Sequence, residues 1–222
     1  SWISGRVATS TGSSVIRPRR TGSARGRRAP EARAGRRTSS QAVSDVIEVI
    51  AHRGFSAEAP ENTLAAMRAA LDAGADSLEW DMHVAACGTP VLFQDETLDR
   101  TTDGAGPVAA HRFETLRVRD AGGWFGPSFA GERIPSFLEA LELARPSGAT
   151  VYPEVKGFRR PEELDLMVRT VEDAGMAERT VFISLDFDAV DRLGRAHEAV
   201  GYVVSRSSDL TDALHRASRL HQ

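Results

Sequence analysis

The sequence has 222 residues, of which 41% are hydrophobic and 27% are charged, a composition typical of a globular protein rather than a disordered, collagen-like or coiled-coil chain. No stretch approaches the roughly 20 consecutive apolar residues of a membrane span, so no transmembrane segment is predicted. The net charge of −3 conceals an asymmetry, because residues 1–45 hold ten arginines and only two acidic residues.

Residues 1–45 are predicted to form a disordered, Arg-rich tail, because a mixture of Arg, Gly, Ala, Ser and Pro without an apolar period cannot offset its ordering entropy. The tail lacks the apolar core of a secretory signal. A transit peptide and a contact with an anionic surface remain open alternatives. The single cysteine, Cys87, excludes an intrachain disulfide, fits a reducing compartment and favours a cytoplasmic location. Residues 46–222 carry an acidic excess, which argues against nucleic-acid binding by the globular domain.

From Val46 onward, strand patterns alternate with helix patterns. Short apolar runs predict strands over residues 46–51, 77–82, 90–93, 150–155, 180–184 and 200–204. Helical periodicity predicts helices over residues 61–73, 136–144, 161–174, 187–198 and 208–220. Residues 98–134 are rich in Gly and turn residues and are interpreted as an insertion. The alternation predicts βαβ units in a TIM (β/α)8-type barrel.

Six predicted strands fall short of the eight that such a barrel requires. The last two βα units are therefore expected to be missing, and residues 46–222 are interpreted as a C-terminally incomplete domain. A partner chain that fills the gap, or poor folding, are the alternatives, since open parallel edges invite aggregation.

Polar side chains mark the carboxyl ends of four predicted strands, where reactive groups gather in parallel α/β folds. They are His52 and Arg53, Glu79 and Asp81, Gln94 and Asp95, and Glu154 and Lys156. Three converging carboxylates, Glu79, Asp81 and Glu154, predict a hard divalent cation, Mg²⁺ or Ca²⁺. Arg53 and Lys156 are then available to hold an anion, and a histidine can move a proton, which together indicate phosphate-ester chemistry.

Five ordered motifs resemble the glycerophosphodiester phosphodiesterase family, between about Val49 and Val204. They are His52-Arg53-Gly54, Pro60-Glu61-Asn62-Thr63, Glu79-Trp80-Asp81, Asp99-Arg100-Thr101-Thr102 and Glu154-Val155-Lys156. The resemblance implies a TIM barrel that hydrolyses glycerophosphodiesters, which are small-molecule substrates, to an alcohol and glycerol 3-phosphate. The sequence leaves the oligomeric state open.

By position, the resemblance implies that the three carboxylates are metal ligands and that His52 is a general acid/base. It implies that Arg53 and Lys156 bind the phosphate and stabilise its developing charge. Asn62 is expected to contact the phosphate or glycerol, while Glu61 is expected to orient His52 or reach the metal. Residues 60–63 also fit a simple helix start.

Gln94 departs from the family pattern, which usually has a second histidine there, and glutamine cannot carry a proton at neutral pH. Three alternatives follow. Gln94 could be a neutral ligand of the metal or phosphate, Asp95 could take a proton if its pKa were raised, or His83 could reach inward. As a lone histidine near a loop, His83 is expected to be solvated.

Two other functions stay open. The first is a lysophospholipase D-type enzyme that acts on lipid phosphodiesters, with Trp124, Phe125 and Phe129 of the insertion lining an apolar groove. The second is a non-catalytic homologue that binds phosphodiesters, which Gln94 and the expected missing strands would favour.

Overall fold

In a computed structural model of the chain, residues 47–204 are described. The predicted tail and the predicted helix over residues 208–220 therefore lie outside the described residues. The strands are β1 Ile50–Ala51, β2 Ser77–Val84, β3 Pro90–Leu92, β4 Thr150–Val155, β5 Phe182–Ser184 and β6 Val200–Tyr202. The α-helices are α1 Leu64–Asp72, α2 Phe113–Leu116, α3 Phe137–Ala144, α4 Pro161–Asp173 and α5 Phe187–Gly194.

One sheet organises the described residues. Its parallel strands run in the order β1-β2-β4-β5-β6. The β2–β4 pair has the longest register, from Ser77 opposite Thr150 to Met82 opposite Val155. The sheet therefore places the carboxyl ends of β2 and β4 side by side, with Asp81 directly opposite Glu154.

The prediction that residues 90–93 form a parallel barrel strand is wrong. β3 pairs with β2 in the antiparallel direction, with His83 opposite Val91. A tight turn joins them, in which Ala85 N donates to Thr89 O at 2.9 Å and Gly88 takes a φ of 90°. A connection this short can form a hairpin but not a parallel crossover. The described residues therefore supply five parallel strands rather than six.

Successive side chains of β2 point to opposite faces of the sheet, so one face packs in the core and the other carries the candidate site residues. Trp80 lies between Glu79 and Asp81 in sequence and points to the opposite face. There it is fully buried and meets Phe137 of α3 edge to face, with ring centroids 6.3 Å apart. Phe137 in turn packs against Phe182 of β5. These contacts place Trp80 between the sheet and α3 and leave the two carboxylates on the inner face.

Helices α1 and α3 each begin at a side-chain cap. Thr63 accepts from Ala66 N at the start of α1, so this helix begins three residues later than predicted. The delay has a backbone cause, because Asn62 has a φ of 58° and cannot be helical. Ser136 forms a capping box with Glu139 at the start of α3.

The insertion over residues 98–134 consists of loops and short helical turns and packs around a small core of its own. With residues of the β2–β3 hairpin, that core contains Ala85, Val91, Phe93, Leu98, Val108, Leu116, Ala121 and Ile134. The insertion is thus an ordered addition beside the sheet, as predicted.

Candidate active site

Three carboxylates converge at the carboxyl ends of β2 and β4. Glu79, Asp81 and Glu154 are all buried, and each offers one oxygen within 4.8 Å of the others. The i, i+2 spacing of Glu79 and Asp81 turns both to the inner face, and the strand register adds Glu154. The structure thus brings the three predicted metal ligands together.

Burial and mutual repulsion disfavour full ionisation of the three carboxylates. Glu79 Oε1 is buried without a hydrogen-bond partner in the described part of the chain. Burial, and then the neighbouring Asp81 carboxylate, raises the pKa of Glu79 to about 8. Burial also raises the pKa of Glu154. An all-oxygen donor set with an unpartnered buried oxygen fits a hard divalent cation such as Mg²⁺ or Ca²⁺.

Lys156 and Arg53 border the carboxylates. Lys156 Nζ lies 2.8 Å from Glu154 Oε1 and 3.2 Å from Asp81 Oδ1, while Arg53 Nε lies 3.1 Å from Asp81 Oδ2. Burial acts to lower the pKa of Lys156, but the two carboxylates outweigh it and raise the pKa. Two cations therefore stand beside the cluster, where they can hold an anion.

The turn after β1 places His52 and Arg53. Arg53 has a φ of 58°, and its N–H donates to Glu79 Oε2 at 2.9 Å. Gly54 follows with a φ of 75°, and a Cβ there would lie 2.6 Å from the backbone carbon of Ala66. Only glycine fits this turn because α1 packs directly against it.

His52 lies beside the cluster, with Nε2 3.9 Å from Glu79 Oε2 and 44% of its side chain exposed. Burial, and then the charge of Arg53, lowers the pKa of His52. A lowered pKa favours the neutral imidazole, which can accept a proton. This state suits the predicted acid/base role.

Asn62 is buried and bonds Asp81 rather than lining the open mouth. Its Nδ2 donates to Asp81 Oδ2, and its Oδ1 accepts from Asp81 N, both at 3.0 Å. Both ends of the amide are thereby engaged. Asn62 thus holds a carboxylate of the cluster in the structure, and the contact with phosphate or glycerol that the resemblance implies stays a prediction.

Glu61 is held between two arginines. It accepts from Arg53 Nη1 at 3.1 Å, and Arg100 donates to both of its oxygens at 3.1 and 2.7 Å. Arg100 also bonds Asp95. Sequence analysis missed this role of Arg100, although the residue stands in one of the motifs that carry the resemblance.

The prediction that His83 is solvated is wrong. Only 8% of His83 is exposed, and its Nε2 lies 3.2 Å from the carbonyl oxygen of Gln94. The side-chain Oε1 of Gln94 is buried and has no hydrogen-bond partner among residues 47–204. The antiparallel hairpin thus returns Gln94 and Asp95 toward the end of β2, where Phe93 N donates to Asp81 O.

The aromatic residues of the insertion pack on one another. Trp124 meets Phe125, and Phe125 meets Phe129, each edge to face with ring centroids about 5.5 Å apart. Trp124 remains 43% exposed, and its indole N–H donates to Ala121 O. These rings present apolar surface to solvent.

Comparison with solved structures defines the class. A crystal structure of a glycerophosphodiester phosphodiesterase from Agrobacterium tumefaciens is 36% identical, with a TM-score of 0.62 over 68% of this chain and 63% of that one. An Oleispira antarctica phosphodiesterase in complex with the product sn-glycerol-3-phosphate is 32% identical, with a TM-score of 0.71 over 77% of this chain and 72% of that one. The protein is therefore an α/β protein of the TIM (β/α)8-barrel class, as predicted.

The family follows from the sequence. The profile of the glycerophosphoryl diester phosphodiesterase family matches residues 52–218, so the chain belongs to that family. A glycerophosphodiester phosphodiesterase from Caldanaerobacter subterraneus subsp. tengcongensis is 39% identical over 140 residues, which are 62% of this chain and 58% of that protein. Glycerophosphodiester phosphodiesterase 1 of Bos taurus is 43% identical over 51% of this chain and 35% of its own length.

The chain spans little more than half the length of the bacterial relative. Within residues 47–204, none of the helices has the length and apolarity needed to cross a membrane.

Proposed function

We propose that the chain hydrolyses glycerophosphodiesters to an alcohol and glycerol 3-phosphate, using Mg²⁺ or Ca²⁺. The observation that carries the proposal is the convergence of the three buried carboxylates with Arg53 and Lys156 at one end of the sheet. The product found in the Oleispira antarctica phosphodiesterase has the phosphate group that such a site would hold.

Binding is assigned to the charged groups. Glu79, Asp81 and Glu154 would hold the cation, which when bound supplies positive charge that polarises the phosphoryl oxygens. Arg53 and Lys156 contact the anionic oxygens of the phosphate and stabilise the charge that grows on them during attack. Asn62 keeps Asp81 oriented through two hydrogen bonds.

Proton transfer is assigned to His52. In its neutral form, the imidazole accepts a proton from the nucleophile, either water or the substrate's own glycerol hydroxyl in a route through a cyclic phosphate. The imidazolium then gives that proton to the oxygen of the departing alcohol as the bond between this oxygen and phosphorus breaks, and in the cyclic route water afterwards opens the cyclic phosphate. Both oxygens of Asp95 accept from Arg100, so this carboxylate is engaged in an ion pair at the edge of the site.

The test measures glycerol 3-phosphate release from glycerophosphocholine with and without Mg²⁺ or Ca²⁺. Metal-dependent release by the natural sequence, lost in Glu79→Ala, is expected. Glu142→Ala, which alters an exposed glutamate on α3, is the matched control and is expected to keep activity. No release from a folded, metal-loaded sample would overturn the proposal.

A lysophospholipase D-type activity is the second candidate, and the exposed Trp124 with its two phenylalanine neighbours favours it. Release of choline from lysophosphatidylcholine at a higher kcat/KM than from glycerophosphocholine would select it. Binding of a phosphodiester without turnover would select the non-catalytic alternative. We further propose a cytoplasmic location, which the single cysteine supports.

A further inference from the structure

Arg100 joins two loops at the edge of the candidate site. Its Nε and Nη2 donate to Asp95 at 2.6 and 3.2 Å, and its Nη1 and Nη2 donate to Glu61 at 3.1 and 2.7 Å. Asp95 follows the β2–β3 hairpin, and Glu61 belongs to the loop between β1 and α1. One guanidinium therefore bridges two carboxylates in fork geometry, an arrangement that lysine cannot reproduce.

Glu61 also accepts a hydrogen bond from Arg53, so the position in which Arg100 holds Glu61 affects Arg53. Burial acts to raise the pKa of Glu61, but Arg100 and then Arg53 outweigh it and lower the pKa, so the group stays ionised. Its Oε1 accepts from Nη2 of Arg100 and from Nη1 of Arg53. The same oxygen thus links the exposed Arg100 to Arg53, which lies beside the carboxylate cluster.

Arg53 is fixed at two points of its planar guanidinium. Nε faces Asp81 Oδ2 at 3.1 Å, and Nη1 faces Glu61 Oε1 at 3.1 Å. The Nε contact is an ion pair without hydrogen-bond geometry, so the hydrogen bond from Nη1 to Glu61 is the directional contact that sets the rotation of the group. Arg100 supplies the support that keeps the Glu61 carboxylate in place for the second contact.

We propose that Arg100 is a positioning residue, which by gripping Asp95 and Glu61 orients the Arg53 guanidinium for the phosphate of the substrate. The inference rests on the proposed function and deepens it. Arg100 acts through Glu61 and does not itself contact the phosphate. Single exposed ion pairs are worth little, but a shared, bidentate network at the edge of a site can set geometry.

The test compares Arg100→Ala with Arg192→Ala. Arg192 is a matched control, because it binds Asp165 through two nitrogens, with 44% of its side chain exposed against 46% for Arg100, and it lies between α4 and α5. Three quantities are measured with Mg²⁺ present: the Kd of inorganic phosphate by calorimetry, and KM and kcat for glycerophosphocholine.

Arg100→Ala is expected to raise both the phosphate Kd and KM about tenfold, with a smaller change in kcat, because binding common to substrate and transition state is weakened. Arg192→Ala should leave both constants unchanged, and the two variants should have similar unfolding midpoints. Arg100→Lys should not restore affinity. Glu61→Gln combined with Arg100→Ala should cost little more than either change alone.

The phosphate measurement separates this inference from the proposed function. If the natural sequence binds phosphate but turns over no diester, the proposed function fails while the Kd values still test Arg100. Unchanged Kd and KM in Arg100→Ala, full rescue by Arg100→Lys, or additive effects with Glu61→Gln would overturn the inference. Absence of phosphate binding by the natural sequence would also overturn the inference, since Arg53 would then not bind the anion for which Arg100 is proposed to orient it.

Discussion

Asn62 and Asp81 bind each other twice, once through the side-chain carboxylate and once through the backbone N–H of Asp81. Both residues are buried, and Asn62 holds a left-handed backbone conformation with a φ of 58°. Strain of this kind costs free energy and persists where surrounding contacts enforce it. Here the left-handed conformation places the side-chain amide of Asn62 against the carboxylate of Asp81.

Asn62→Ala and Asn62→Gly separate the hydrogen bonds from the backbone conformation. Both changes remove the contacts with Asp81, but only alanine resists the positive φ. Asn62→Ala is therefore expected to be less stable than Asn62→Gly by about 1 kcal/mol, and both less stable than the natural sequence. Chemical denaturation measures the free energy of unfolding. Equal stability of the two variants would show that the φ of residue 62 carries no cost.

The pKa of Glu79 predicts a pH dependence of stability in metal-free protein. Because its folded-state pKa of about 8 lies above the unfolded value near 4.5, the folded state binds the extra proton between these pH values. The free energy of unfolding should therefore fall as pH rises through this window, by at most about 1.4 kcal/mol per pH unit from this group.

Thermal unfolding in a chelator, from pH 5 to pH 8, tests this against Glu79→Gln. The variant cannot lose the proton, so its stability relative to the natural sequence should increase with pH. Parallel curves for the two proteins would contradict the assignment. Glu142→Gln controls for the loss of a surface carboxylate.

A glycine at position 157 is expected to be required for full stability, because this residue packs directly against His83. A Cβ at residue 157 would lie 2.9 Å from His83 Nδ1, closer than side chains tolerate. Gly157→Ala should lower the free energy of unfolding by about 1–3 kcal/mol. Adding His83→Ala should remove most of that cost, as a double-mutant cycle would show.

Gly126→Ala is the control, since nothing lies within 4 Å of its Cβ position and its φ of 173° is extended backbone. A loss of stability in Gly157→Ala that persists unchanged in the His83→Ala background would place the clash elsewhere.

Gln94→His is expected to raise kcat for glycerophosphocholine by about 100-fold, since it adds a second proton carrier at the mouth. The pH profile of kcat should gain a second titration. Gln94→Asn keeps an amide and serves as the control, with no gain expected. If the histidine variant is no faster, proton transfer at residue 94 does not limit the reaction.

The features predicted best from the sequence are those that depend on a single strand. The predicted bounds of β4 match the structure, and the two-residue spacing of Glu79 and Asp81 predicted their shared face. Long-range side-chain pairs were not predictable, because Asn62 with Asp81 and Glu61 with Arg100 are separated by 19 and 39 residues. No local sequence pattern predicts a contact between residues so far apart in the chain.

The direction of β3 was wrongly predicted although a signal was available. Apolar runs do not encode strand direction, but the connection from the predicted strand at 77–82 to that at 90–93 is too short for a crossover. His83 was misjudged because the hairpin and Gly157 close over it, which a lone histidine in the sequence does not reveal.

The β2–β3 hairpin carries Gln94 on a short connection that leaves β2 and returns to its carboxyl end. β3 joins the sheet at the carboxyl end of β2, through residues 82–84 and the hydrogen bond from Phe93 N to the backbone oxygen of Asp81, while the five parallel strands pair with one another without it. Because the pairing of β3 with β2 is made by backbone groups, a graft of residues 85–94 from a relative could replace Gln94 while Asp95, the partner of Arg100, stays in place. Under the proposed function, such a graft would change the candidate proton carrier and leave Glu79, Asp81 and Glu154 unchanged.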